Sequence, residues 1–100
     1  MLLKRLMNER KRIWLKVTGR VQGVGFRYFT RREAERLGLV GWVRNMPNGD
    51  VEAEAEGIPE QIDAFVASIR RGPSASRIAE IMVNDLPVLN GEALFEIRMF

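Results

Sequence analysis

The chain has no cysteine and no histidine. No disulfide can staple it, and no thiolate nucleophile, imidazole base or Cys/His zinc site can be built from it. A Ser-His-Asp triad is excluded for the same reason. Aspartate is scarce. Asp50, Asp63 and Asp85 stand apart, without the Asp-x-Asp clustering of a magnesium or calcium loop. No apolar run approaches the ~20 residues that a membrane span requires. The first twelve residues contain Leu and Met, but Lys4, Arg5 and Glu9 interrupt them, so they make no secretory apolar region. No metal, cofactor or membrane partner is therefore expected, and the expected location is the cytoplasm. An enzyme made from this alphabet must work with Arg, Lys, amides, carboxylates, hydroxyls and the backbone.

What is present is ordinary in amount and uneven in placement. One hundred residues, 46% hydrophobic and 29% charged, suffice for one core and one domain. Of the sixteen basic residues, only Lys4, Lys11 and Lys16 are lysines. Residues 1–36 carry eleven Lys/Arg against three Asp/Glu, whereas residues 37–100 carry five against ten. Arginine reads planar oxyanions such as phosphate with a two-pronged fork. An anionic partner for the N-terminal third is one reading, and a solvated basic surface is the other.

Residues 13–18 alternate with Ile13, Leu15 and Val17 on one face, as a half-buried strand does. Glycine-rich sequence runs from Gly19 to Gly25. Phe26, Phe29, Thr30, Glu33, Ala34 and Leu37 then fall at helical spacing, with Gly38 where a C-cap belongs. Residues 40–46 read as a second strand, Pro47-Asn48-Gly49 as a turn, and Val51, Ala53 and Ala55 as the apolar face of a third strand. The other face of that strand, Glu52, Glu54 and Glu56, reads as solvated. A second helix opens at Pro59, follows Ile62, Phe65, Val66 and Ile69, and stops at Gly72-Pro73. Residues 77–83 read as a fourth strand, 87–91 as a loop, and Leu94 to Met99 as a short last strand. The order is β-α-β-β-α-β plus a strand. It predicts an α+β, ferredoxin-like split βαβ sandwich, with an antiparallel sheet and both helices on one face. Residues 1–11 read as a basic N-terminal arm and residues 12–100 as the domain.

The segment that carries chemistry is Val21-Gln22-Gly23-Val24-Gly25-Phe26-Arg27, between a strand and a helix. Gly23 and Gly25 let the backbone turn its N–H groups inward, and such a nest at a helix start suits a phosphate-like anion. Arg27 adds a cationic fork in the first turn. The plainer alternative is a tight turn and nothing more. The loop is not a Walker loop, since Phe26-Arg27 follows Gly25, and it is not a dinucleotide fingerprint, since Tyr28 stands at the third glycine position. Asn45, at the end of the second strand, could bind water and a phosphoryl oxygen. By spacing alone the commoner job of an Asn beside Pro-Asn-Gly, capping the turn that follows, is the stronger reading. Trp14 and Trp42 read as packing residues.

Gly19-Arg20-Val21-Gln22-Gly23-Val24-Gly25-Phe26-Arg27 and Gly41-Trp42-Val43-Arg44-Asn45-Met46-Pro47-Asn48-Gly49-Asp50 resemble the two signature motifs of the acylphosphatase family. The resemblance continues through Glu56-Gly57, Gly72-Pro73 and Phe95-Glu96-Ile97-Arg98. It implies hydrolysis of a carboxylic-phosphoric anhydride to carboxylate and inorganic phosphate, without metal. It implies that Arg27 binds the phosphoryl group and that Asn45 positions the attacking water. Gln22, Gly23, Val24, Gly25 and Phe26 would form the phosphate-binding loop. The chain differs from the usual pattern in Asn48-Gly49, where Asp-Gly is commoner, and in the longer basic arm. A small-molecule acyl phosphate is the expected partner, with phosphate as product and a monomer as the working form. The competing reading is a nucleic-acid-binding module of the same fold. It would use the basic N-terminal third and the cluster Phe26, Tyr28, Phe29, Arg31 and Arg32. Those aromatics fall on a helix and not on central strands, where bases stack, so nucleic acid is not the favoured partner. A regulatory or carbamoyl-phosphate-handling domain is a third possibility, which the short chain disfavours.

Overall fold

A computed structural model describes residues 9–99. Its elements are β1 (Lys11–Arg20), α1 (Phe26–Arg36), β2 (Val40–Asn45), β3 (Val51–Gly57), α2 (Pro59–Arg71), β4 (Arg77–Leu86) and β5 (Phe95–Arg98). The five strands form one sheet in the order β4-β1-β3-β2-β5. The pairings β1–β3, β1–β4 and β2–β3 are antiparallel, as the sequence predicts. The β2–β5 pairing is parallel, so the sheet is mixed. After β4 the chain passes along residues 87–94 to the free edge of β2 and enters β5 in the direction of β2.

β1 and β4 run longer than their apolar alternation. β1 reaches Lys11 because it pairs with β3 as far as Gly57, and β4 reaches Leu86 because that residue faces Arg12. The broken alternation near Ala79 and Glu80 has its cause in a register shift between Thr18 and Gly19 of β1. Of the N-terminal arm, residues 1–8 lie outside the described residues. Arg10 bonds Glu56 across the sheet, and Lys11 opens β1.

Both helices cover one sheet face. Phe26, Thr30 and Ala34 of α1 and Ile62, Phe65, Ser68 and Ile69 of α2 are buried. They pack on Ile13, Leu15, Val17, Val43, Val51, Ala53 and Ala55. The alternation of each strand puts these residues on the same side. Alanine at 53 and 55, in the middle of the sheet, leaves room for helices to settle. Phe95 of β5 meets Phe65 of α2 with ring centroids 6.2 Å apart, which fastens the last strand to the core. Each such buried ring contributes ~1.5–3 kcal/mol of transfer free energy.

The opposite sheet face corrects the expectation for the acidic strand. Glu52, Glu54 and Glu56 are not simply solvated. The Glu56 side chain is only 1% exposed and accepts from Arg12, from Arg10 and from the Leu89 and Asn90 backbone N–H groups. Arg12, itself buried, also bonds Glu54 and Glu92. Glu52 accepts from the Trp14 indole at 2.7 Å and from Arg44 at 2.7 Å. Burial alone would raise the Glu56 pKa, but the two backbone donors and the two arginines outweigh it and hold the carboxyl below its ordinary value. Burial alone would likewise lower the Arg12 pKa, and its bonds to Glu92, Glu54 and Glu56 raise it instead. Trp42 is nearly buried, with the Arg44 and Arg98 guanidinium groups 5.5 and 5.1 Å from its ring centroid. A face whose rings and carboxylates already hold their arginines is not an open base-stacking platform.

Candidate active site

The split βαβ order brings the β1–α1 loop beside the C-terminal end of β2. Gly25 precedes α1 in the left-handed conformation, at φ 78° and ψ 19°, and Gly23 has φ 75°. An L side chain costs ~1–2 kcal/mol in that region, which is why both positions are glycine. The chain then turns sharply into Phe26, whose buried ring anchors the helix start to the core.

A helix leaves its first N–H groups without intrahelical partners. In α1 no side chain caps them, and the first turn holds no acidic residue. The Phe29 N–H already bonds the Gly25 carbonyl at 3.0 Å, so the groups left over belong to the loop and the first turn. These donors sit at the positive end of the helix dipole. A cleft of about 130 Å³ opens there, lined by Val21, Gly23, Gly25, Phe26, Arg27, Tyr28 and Asn45. A single water needs only ~10–15 Å³ of such space, so a phosphoryl group and a water fit together. Neither Arg27 nor the Asn45 side chain has a bonding partner among the described residues. By contrast, Arg12, Arg36 and Arg44 are each held by a carboxylate.

Of the residues singled out in the sequence, Gly23, Gly25, Phe26, Arg27 and Asn45 therefore share one cleft. Gln22 and Val24 have other surroundings. Val24 packs against the core. The Gln22 amide donates to the Met46 carbonyl at 2.7 Å and to the Asp50 carbonyl at 2.8 Å. It thus ties the glycine loop to the β2–β3 turn, the turn that follows Asn45. The turn does not need Asn45 as a cap. Asn48 does that work, its Oδ1 accepting from the Asp50 N–H and its Nδ2 donating to the Asp50 carboxylate, both at 3.1 Å. The Gln22 tie has no signal in the sequence, because its partners lie far along the chain and are main-chain carbonyls.

The arrangement is a helix start with uncapped N–H groups, together with a guanidinium and an amide that have no bonding partner among the described residues, around a small cleft. It suits phosphoryl transfer to water and offers no general base. Comparison with known proteins agrees. The acylphosphatase family model matches residues 13–97. The acylphosphatase of Clostridium beijerinckii is 46% identical over 82 residues, covering 82% of this chain and 91% of that protein. That of Pseudomonas paraeruginosa is 55% identical over 82 residues, covering 82% and 89%. The crystal structure of the Bacillus subtilis acylphosphatase superposes with a TM-score of 0.85 at 40% identity, covering 88% of this chain and 98% of that one. A family match across nearly the whole domain, on a matching fold, means that the chain belongs to the acylphosphatase family and is an acyl phosphate hydrolase.

Proposed function

We propose that the cleft hydrolyses an acyl phosphate, with Arg27 and the loop holding the phosphoryl group and Asn45 holding the water. The N–H groups of about Gly23 to Arg27 and the Arg27 fork gather the phosphoryl oxygens and neutralise their charge as the P–O bond to the carboxylate breaks. Asn45 holds one water for in-line attack on phosphorus, a contribution of position. The water oxygen bonds to phosphorus, and the carboxylate leaves with the electron pair of the broken P–O bond. A phosphoryl oxygen of the substrate takes the water's proton. A carboxylate is a good leaving group, so the site requires neither a strong base nor a metal. The observation that carries this reading is that Arg27 and Asn45, whose side chains have no bonding partner among the described residues, line the same small cleft as the uncapped start of α1.

Every group in this scheme comes from one chain, which supports a monomeric enzyme. The absence of cysteine suits the cytoplasm, where small domains do without the disulfides of secreted ones. The test is hydrolysis of benzoyl phosphate by purified protein in the presence of EDTA. The reading requires turnover that EDTA does not abolish. A protein that leaves benzoyl phosphate intact, or that loses all turnover to EDTA, does not work this way.

A further inference from the structure

We propose that Tyr28 receives the acyl group of the substrate and is the residue by which this chain tells an aromatic acyl group from a small one. This inference rests on the phosphoryl reading above. Two surfaces flank the cleft. One is Tyr28, in the first turn of α1, which lines the cleft and yet is 65% exposed. The other is a groove of about 320 Å³ lined by Arg44, Asn45, Met46, Pro47 and Met99. By size and by its methionines, the groove is the more obvious acyl site.

The geometry of displacement points the other way. In phosphoryl transfer the attacking and leaving oxygens lie roughly in line with phosphorus between them. Asn45 stands on the wall that cleft and groove share. With water held by Asn45, in-line displacement sends the carboxylate away from Asn45, the residue that the groove shares. Tyr28 lines the cleft and, unlike Asn45, takes no part in the groove.

Tyr28 is built for such a contact. Among the described residues it is the one exposed aromatic ring. The Arg31 guanidinium sits 5.4 Å from its centroid and restrains the ring while leaving its other face available. A flat acyl group such as benzoyl can stack there in the offset geometry that aromatic pairs prefer. An acetyl group is too small to reach it with comparable area. Nothing in the core depends on the ring, so its removal does not threaten the fold.

The test compares kcat/KM for benzoyl phosphate with kcat/KM for acetyl phosphate in wild type, Tyr28→Ala, Tyr28→Phe and Met99→Gln. Tyr28→Ala is expected to lower the benzoyl-to-acetyl ratio about three- to tenfold, which is what an aromatic pair contributes beyond its area. Tyr28→Phe should keep the ratio, and so should Met99→Gln, whose side chain lies in the groove. An unchanged ratio in Tyr28→Ala, or a fall in Met99→Gln instead, overturns the assignment. Competitive inhibition by inorganic phosphate separates the two layers of argument. A wild type that phosphate inhibits, combined with an unchanged ratio in Tyr28→Ala, defeats the acyl contact alone. A wild type that phosphate does not inhibit defeats the phosphoryl reading beneath it.

Discussion

Replacing Gln22 with alanine should damage catalysis more than stability. The side chain makes two hydrogen bonds, 2.7 and 2.8 Å long, to the Met46 and Asp50 carbonyls. Neither carbonyl is orphaned by the change. Met46 still accepts from the Gly49 N–H at 3.1 Å, and Asp50 still accepts from the Met46 N–H at 2.8 Å. The desolvation penalty for buried acceptors is therefore largely avoided, and only the net value of two neutral bonds is lost, about 1–2 kcal/mol in all. In a domain of this size that lowers Tm by about 5–15 °C. The catalytic effect has a different origin. Those bonds set the distance between the glycine loop and the end of β2, and so, in the proposed mechanism, between the phosphoryl group and the water on Asn45. A shift of about 1 Å in such a pair can cost on the order of 100-fold in rate. Gln22→Glu keeps the shape but cannot donate, and it places a charge against two carbonyls, so it should be at least as harmful. The assay is steady-state benzoyl phosphate hydrolysis at a temperature where circular dichroism finds each variant folded. Should folded Gln22→Ala keep kcat/KM within about twofold of wild type, less than 0.5 kcal/mol, the tie is structural only and the positioning argument is wrong.

Four further outcomes are expected. Asn45→Ala should lower kcat by on the order of 10²–10³, the cost of one aligned polar group, while the Ki for phosphate stays near wild type; an unchanged kcat would refute its role with water. Gly25→Ala should lose about 1–2 kcal/mol in urea denaturation, because its Cβ meets no neighbour and only the left-handed backbone is strained; no loss would mean that the loop relaxes without cost. Glu56→Gln should cost about 3 kcal/mol, the low end for breaking a buried ion pair, because Arg12 keeps Glu54 and Glu92. The same carboxyl sets a pH dependence. Its native pKa is depressed, so its contribution is complete above the ordinary glutamate value of about 4.3 and is lost as pH falls through the lower native value. Thermal melts of wild type should thus fall more steeply below about pH 4 than those of Glu56→Gln, and parallel curves would remove Glu56 from the acid limb.

The parts of this molecule that were legible in its sequence are those whose causes are local. Gly23 and Gly25 announce a turn into a helix, and Pro59, Ile62, Phe65 and Ile69 announce an amphipathic helix, because neighbours on the chain settle both. The cleft was legible for the same reason on one side and through the family resemblance on the other. By spacing alone Asn45 read better as the cap of the turn, and the placement of Asn48 takes that role from it. Glu52, Glu54 and Glu56 looked like a wet face because alternation reports which side a residue faces and not what later covers it. The covering residues are Arg12, from the neighbouring strand β1, and Leu89, Asn90 and Glu92, from the loop after β4. The direction of β5 was illegible because a strand four residues long pairs equally well either way until Phe95 finds Phe65.

The central claim is that a guanidinium fork at Arg27, and not positive charge alone, holds the phosphoryl group. An ammonium is a point charge and cannot bind two phosphoryl oxygens at once. The most direct measurement is the competitive inhibition constant of inorganic phosphate, together with kcat/KM for benzoyl phosphate, in folded Arg27→Lys and Arg27→Ala. The account predicts that both variants bind phosphate poorly and that lysine is nearly as damaging as alanine. A folded Arg27→Lys protein that binds phosphate and turns over substrate close to wild type would contradict it, since charge attraction would then suffice.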